Sequence, residues 1–205
     1  MKMKSLLLAL FMTALTLPGQ EILPRSEAVK LAALANFDLD KLADTPIPTD
    51  ADIKRPYGIR AGHLGGLVVP EVKLSPATLG NLGKEVAPVG QLWLHGLVLA
   101  KGGQPVPKEQ LKLVTVQHEG REMTLPICVL GVRKGGEGKL ELLVYGKAKE
   151  PLLAVPLHKA NREQQWPLEL KAEREGDASA KVTLALVGQY EASFSVNVVS
   201  EESPR

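Results

Sequence analysis

The segment from Ser179 to Val199, SAKVTLALVGQYEASFSVNVV, constrains this chain more than any other. Val182, Leu184 and Leu186 alternate with Lys181, Thr183 and Ala185. After Gly188, the set Tyr190, Ala192, Phe194, Val196 and Val198 alternates with Glu191, Ser193, Ser195 and Asn197. Successive side chains of a strand point to opposite faces, so a period of two marks a strand with one apolar and one wet face. Two such runs joined at a glycine predict a hairpin. A lone hairpin is marginal in water. Its apolar face, with Leu184, Phe194 and Val196, therefore needs strands from elsewhere in the chain.

The sequence offers them from Leu64 onward. Leu67–Leu74 reads as a strand with Pro70 at an edge or bend. Residues 75–90, rich in Pro and Gly, read as loop. Gln91–Ala100, QLWLHGLVLA, is a nearly continuous apolar run, as expected of a central strand covered on both faces. Gln110–His118 and Met123–Val132 follow, the latter with Pro126 and Gly131 as interruptions suited to bulges. Leu140–Tyr145, Leu152–Leu157 and Gln165–Glu173 precede the hairpin. Short strands with Gly/Pro turns and no intervening helix predict an all-β sandwich of about eight or nine strands over residues 63–200. A parallel α/β sheet would need helical crossovers, which this pattern lacks.

Gly188-Gln189-Tyr190-Glu191-Ala192 resembles the corner of immunoglobulin-like domains, where a G-x-Y-x-C segment begins a late strand. Ala192 stands at the cysteine position, and Cys128 is the only cysteine of the chain. The resemblance implies an Ig-like or fibronectin-like sandwich and carries no activity with it.

The N-terminal third differs. Lys2 and Lys4 precede the 12-residue apolar run Leu6–Leu17, which Pro18-Gly19-Gln20 ends. That layout predicts a secretory signal peptide over residues 1–20, and the run is short for a helix spanning ~30 Å of hydrocarbon. The expected location is exported, periplasmic or extracellular, with no transmembrane segment in the mature chain. A single cysteine allows no internal disulfide, so packing must supply the stability. Residues 21–62 read as a helical arm and a Pro-rich linker. Ser26 is placed as N-cap, Ala28, Leu31, Ala32 and Ala35 recur at helical spacing to about Phe37, and Thr45–Asp50 is extended. Residues 51–62 show no periodicity, and 201–205 read as a disordered tail.

Apart from Lys2 and Lys4, basic and acidic residues balance. Nucleic acid is thus not an expected partner, because phosphate binding needs a basic surplus. An unknown protein or glycan is expected instead. In Gly131–Lys139 the glycines 131 and 136 have the spacing of a phosphate loop, but Glu137 follows where Lys and Ser/Thr are needed and Gly138-Lys139 is followed by Leu140, so the segment reads as a turn. Asp38–Asp44 lacks the glycine and terminal glutamate of a calcium loop. The four histidines, His63, His95, His118 and His158, lie on separate segments, and a zinc site favours close pairs. Cys128 sits in an apolar run without the cations that activate a thiol, and reads as buried and inert. Glu141, Glu169, Glu173 and Glu191 fall at wet strand positions. Trp93 and His95, on one face of a strand, are the candidate binding residues; no catalytic residue, metal site or cofactor is expected. The function read from these features is an exported, non-enzymatic β-sandwich with a binding or structural role. A carbohydrate-binding module, using Tyr57, Trp93, Tyr145, Trp166 and Tyr190, and a hydrolase with a His-centred or metal site are the alternatives.

Overall fold

The computed structural model describes residues 19–39, 46–83, 85–118 and 120–199. Nearly all of the expected signal peptide, the end of the Asp38–Asp44 segment and the tail at 201–205 lie outside the described residues.

Fourteen strands form among these residues. They are β1 (Glu21–Ile22), β2 (Tyr57–Ala61), β3 (Leu64–Pro70), β4 (Ala87–His95), β5 (Leu97–Lys101), β6 (Gln104–Pro105) and β7 (Lys112–His118). Then come β8 (Arg121–Lys134), β9 (Leu140–Tyr145), β10 (Leu153–Pro156), β11 (His158–Lys159), β12 (Leu168–Arg174), β13 (Ser179–Leu186) and β14 (Tyr190–Val198). Helix α1 spans Arg25–Leu39 and the short α2 spans Pro76–Gly80. Ser75 caps α2 through its Oγ, which accepts from the Thr78 N–H at 3.2 Å, within the stretch expected to be loop.

The strands make two antiparallel sheets, packed as a sandwich. The large sheet runs β1-β2-β3-β4-β8-β9-β10, with β7 beside the first half of the long β8. The small sheet runs β12-β13-β14-β5-β6, with β11 against the start of β14. The terminal hairpin has the register that the alternation implies. Val182 faces Phe194 and Leu184 faces Ala192, with Leu184, Phe194 and Val196 all buried. The facing layer of the large sheet is Val68, Leu92, Leu94, Cys128, Leu130, Leu142 and Val144. Apolar residues one position away along these strands, Leu67, Trp93 and Ile127, form a second cluster on the outer face. Helix α1 covers it with Ala28 and Ala32, at 1% and 0% exposure. Alanines one turn apart on one face let a helix lie close to a sheet.

Several expectations need correction. The described residues form fourteen strands, because Gln91–Ala100 is divided, residues 57–61 form a strand, and the two-residue strands β1, β6 and β11 are added. Gln91–Ala100 is two strands: β4 belongs to the large sheet and β5 to the small one. The break is Gly96, at φ +65, where a Cβ would come 2.7 Å from Leu64 Cδ2. Only glycine takes that backbone at little cost. The chain returns to the large sheet between β6 and β7, and a further crossing, at Leu157, carries β10 in the large sheet into β11 in the small one. Residues 57–61, without visible periodicity, form β2 and pair with β3 from Tyr57↔Val68 to Ala61↔Leu64. Their face-to-face burial is incomplete, which blurs the pattern. Helix α1 begins at Arg25, ahead of Ser26; the Pro24 carbonyl accepts from the Glu27 and Ala28 N–H groups, both at 3.0 Å. The register shift lies between Pro88 and Gly90 on β4, opposite Gly131 and Leu130, and the Pro126↔Leu113 pairing is regular. The Gly188–Tyr190 segment joins neighbouring strands of one sheet as a tight hairpin, whereas the immunoglobulin corner joins strands of opposite sheets.

Candidate functional site

At one end of the sandwich the two sheets leave a space. Inner positions there hold small residues: Gly66 on β3, Ala172 on β12 and Ala180 on β13. Strand alternation aims all three positions at the gap, and none fills it. The result is a cavity of about 300 Å³. Its walls are Leu92 and Leu94 from β4, Leu97 from β5, Leu170 from β12, Val182 from β13 and Val198 from β14. Gly66 bounds it tightly, for a Cβ there would stand 3.2 Å from Leu170 Cδ1.

The polar groups sit at the mouth: Gln20, Arg60, His63, Arg174, Asp177 and Ser179. Gln20 ties the N-terminal segment to the small sheet, its Oε1 accepting from the Ala172 N–H at 3.3 Å. Arg60 is held by two carboxylates, Glu21 at 2.6 Å and Glu27 of α1 at 3.0 Å. Arg174 donates from Nε to the Gly176 carbonyl at 2.8 Å and from Nη2 to Asp177 Oδ1 at 3.1 Å. The site is thus a greasy pouch with a charged rim. It can hold apolar matter behind a polar mouth.

Trp93 and His95 do not meet there. Trp93 is 3% exposed beneath α1, and its Nε1–H donates to Gln91 Oε1 at 3.2 Å. Gln91 in turn donates from Nε2 to Thr49 Oγ1 at 3.1 Å, which fastens the extended segment to the sheet. The indole therefore serves the outer core and shows no face to solvent. His95 is half-buried at the end of β4 and is not among the cavity walls. His63 is at the mouth, His158 is exposed on β11, and His118 ends β7 opposite Arg121. Among the described residues no three His, Cys, Asp or Glu side chains gather as metal ligands would. Cys128 is fully enclosed in the inner core, and burial pushes its thiol up to about 12. Of the aromatic side chains considered for sugar stacking, Tyr145 is buried and Tyr57 and Tyr190 are half-buried. Trp166 has the Arg25 guanidinium over its ring at 5.1 Å.

The one signal of the cavity in the sequence is small residues at inner strand positions, Gly66, Ala172 and Ala180. It has meaning only once pairing shows that these positions share one space. No family model matches the chain, and no curated protein or solved structure is significantly similar to it.

Proposed function

We propose that the protein is a non-enzymatic binding protein that holds a small apolar ligand between the sheets of its sandwich. The cavity carries this reading. Ligand pockets span roughly 300–1,000 Å³, mostly apolar with a few polar groups, and this one lies at the lower end. Water gains little in a space that offers it no partners, so an apolar occupant has little to displace. Export belongs to the same proposal, supported by the basic start and the apolar run of residues 6–17. The likeness to immunoglobulin-like and fibronectin-like domains is proposed only at the level of a two-sheet scaffold. The carbohydrate reading lacks a free aromatic platform among the described residues, and the hydrolase reading lacks a converged set of reacting groups.

Titration with decanol tests the proposal, read by calorimetry and by methyl NMR. Shifts should concentrate on Leu92, Leu170 and Val182. Ala172→Leu fills the space with methylenes and should abolish binding. It should also raise stability by about 0.5–2 kcal/mol, as cavity filling commonly does. Shifts scattered over the surface, or binding untouched by Ala172→Leu, would overturn the reading. For export, sequencing of the N-terminus of the native protein should find a start near Glu21.

A further inference from the structure

The rim bears on what the ligand's head must be. Arg174 is the last residue of β12 and pairs with Ala180, a buried inner position. Alternation along β12 puts it on the face of Leu168, Leu170 and Ala172, so its side chain continues the cavity wall out to the mouth. The Gly176 carbonyl fixes the plane of its guanidinium through Nε. Its side-chain partner, Asp177, is fully exposed, at 105% of its reference area, and Arg174 itself is 53% exposed. Exposed pairs of this kind contribute little, because water competes for both charges. A carboxylate on a ligand can therefore take the place of Asp177. Nη1 has no hydrogen-bond partner among the described residues, which leaves Arg174 able to grip both oxygens of an incoming carboxylate. Arg60, the other guanidinium at the mouth, is already committed to Glu21 and Glu27. Below this cation the walls are apolar to the floor. If a methylene takes about the room of a water molecule, ~30 Å³, the space holds a chain of about ten carbons.

We propose that the cavity takes a single-chain carboxylate, with its alkyl tail between the sheets and its carboxylate on Arg174. This rests on the binding function proposed above and names the ligand class for that site. A free carboxylate fits better than a two-chain membrane lipid, since about 300 Å³ leaves room for one short chain.

The test compares decanoate with decanol, both below their aggregation concentrations, on the full mature protein. Decanoate should bind the wild type roughly tenfold more tightly than decanol, the effect of one charge-assisted contact. Arg174→Gln should remove that preference, bringing the ratio of decanoate to decanol affinity in the same variant to about one. Asp177→Asn, which removes the competing carboxylate, should raise the ratio of decanoate to decanol affinity above the wild-type ratio. Equal binding of decanol and decanoate by the wild type, or a preference that survives Arg174→Gln, overturns the assignment to Arg174 and leaves the apolar cavity reading standing. Failure of both probes to bind overturns the cavity reading itself and this inference with it. Arg174 lies on the surface, so its substitution leaves the core intact.

Discussion

The cleanest test of the sandwich is a pair of glycine substitutions that the sequence alone would treat alike. Gly96 and Gly90 both have positive φ, +65 and +150. At Gly96 the nearest obstacle to a new Cβ is Leu64 Cδ2, the end of a half-buried side chain that can turn aside, and the His63 carbonyl oxygen at 3.3 Å needs to give by only a few tenths of an ångström. Gly96→Ala should then cost little beyond the left-handed backbone itself, about 1–2 kcal/mol. At Gly90 a Cβ would overlap the carbonyl oxygen of Val69, with Leu168 Cδ1 at 2.9 Å and Pro70 Cα at 3.0 Å behind it. Pro70 is the paired residue on β3, and Glu71 N–H donates to the Val89 carbonyl beside it at 3.0 Å. Backbone cannot swing away as a side chain can, so β3 and β4 must separate and give up ladder bonds. That places Gly90→Ala at about 4 kcal/mol or more, a loss reserved for a few severe mechanisms. Native domains hold only about 5–15 kcal/mol, so this variant should sit near the edge of folding. Urea denaturation followed by tryptophan fluorescence measures both, provided the slope of free energy against urea is unchanged. A Gly90→Ala midpoint equal to that of Gly96→Ala would refute the β3–β4 register and the bulge at Pro88–Gly90.

Phe194→Ala should cost about 3–5 kcal/mol by lost burial and cavity formation, whereas Ser195→Ala, whose hydroxyl donates to Glu175 at an exposed site, should change stability by less than about 0.5 kcal/mol; comparable denaturation midpoints would sink the hairpin register. Cys128 should resist thiol reagents in the native protein and react only on unfolding. Burial raises its pKa from 9.0 to about 12, so the folded state keeps the proton that the unfolded state loses. Its contribution is full below pH 9 and is lost as pH rises toward 12, and Cys128→Ala should flatten that alkaline decline. Burial also raises the Glu71 carboxyl above its ordinary 4.5, against the lowering effect of the Asp50 N–H that it accepts. Among the described residues its Oε2 is buried without a hydrogen-bond partner. The stability that this proton confers is present below pH 4.5 and lost as pH rises through the raised folded value; a pH series of melting temperatures should be flatter for Glu71→Gln than for the wild type.

The sequence by itself determined the class of the fold and much of its core. Alternation is a local property, and the burial of Val182, Leu184, Phe194 and Val196 follows from which neighbours are polar. The apolar surroundings of Cys128 likewise announced an enclosed thiol. The continuous run around Trp93 announced a strand covered on both faces, and α1 is the second cover. What the run could not say is which layer lies on which side, so Trp93 read as a binding residue and is a core residue. Sheet membership, the crossing at Gly96 and the meeting of Gly66 with Ala172 and Ala180 across the cavity were decided only in three dimensions. Each depends on pairing between segments distant in the chain. A period of two tells a strand which face to bury, but it carries no record of the partner strand or of the space left between two sheets.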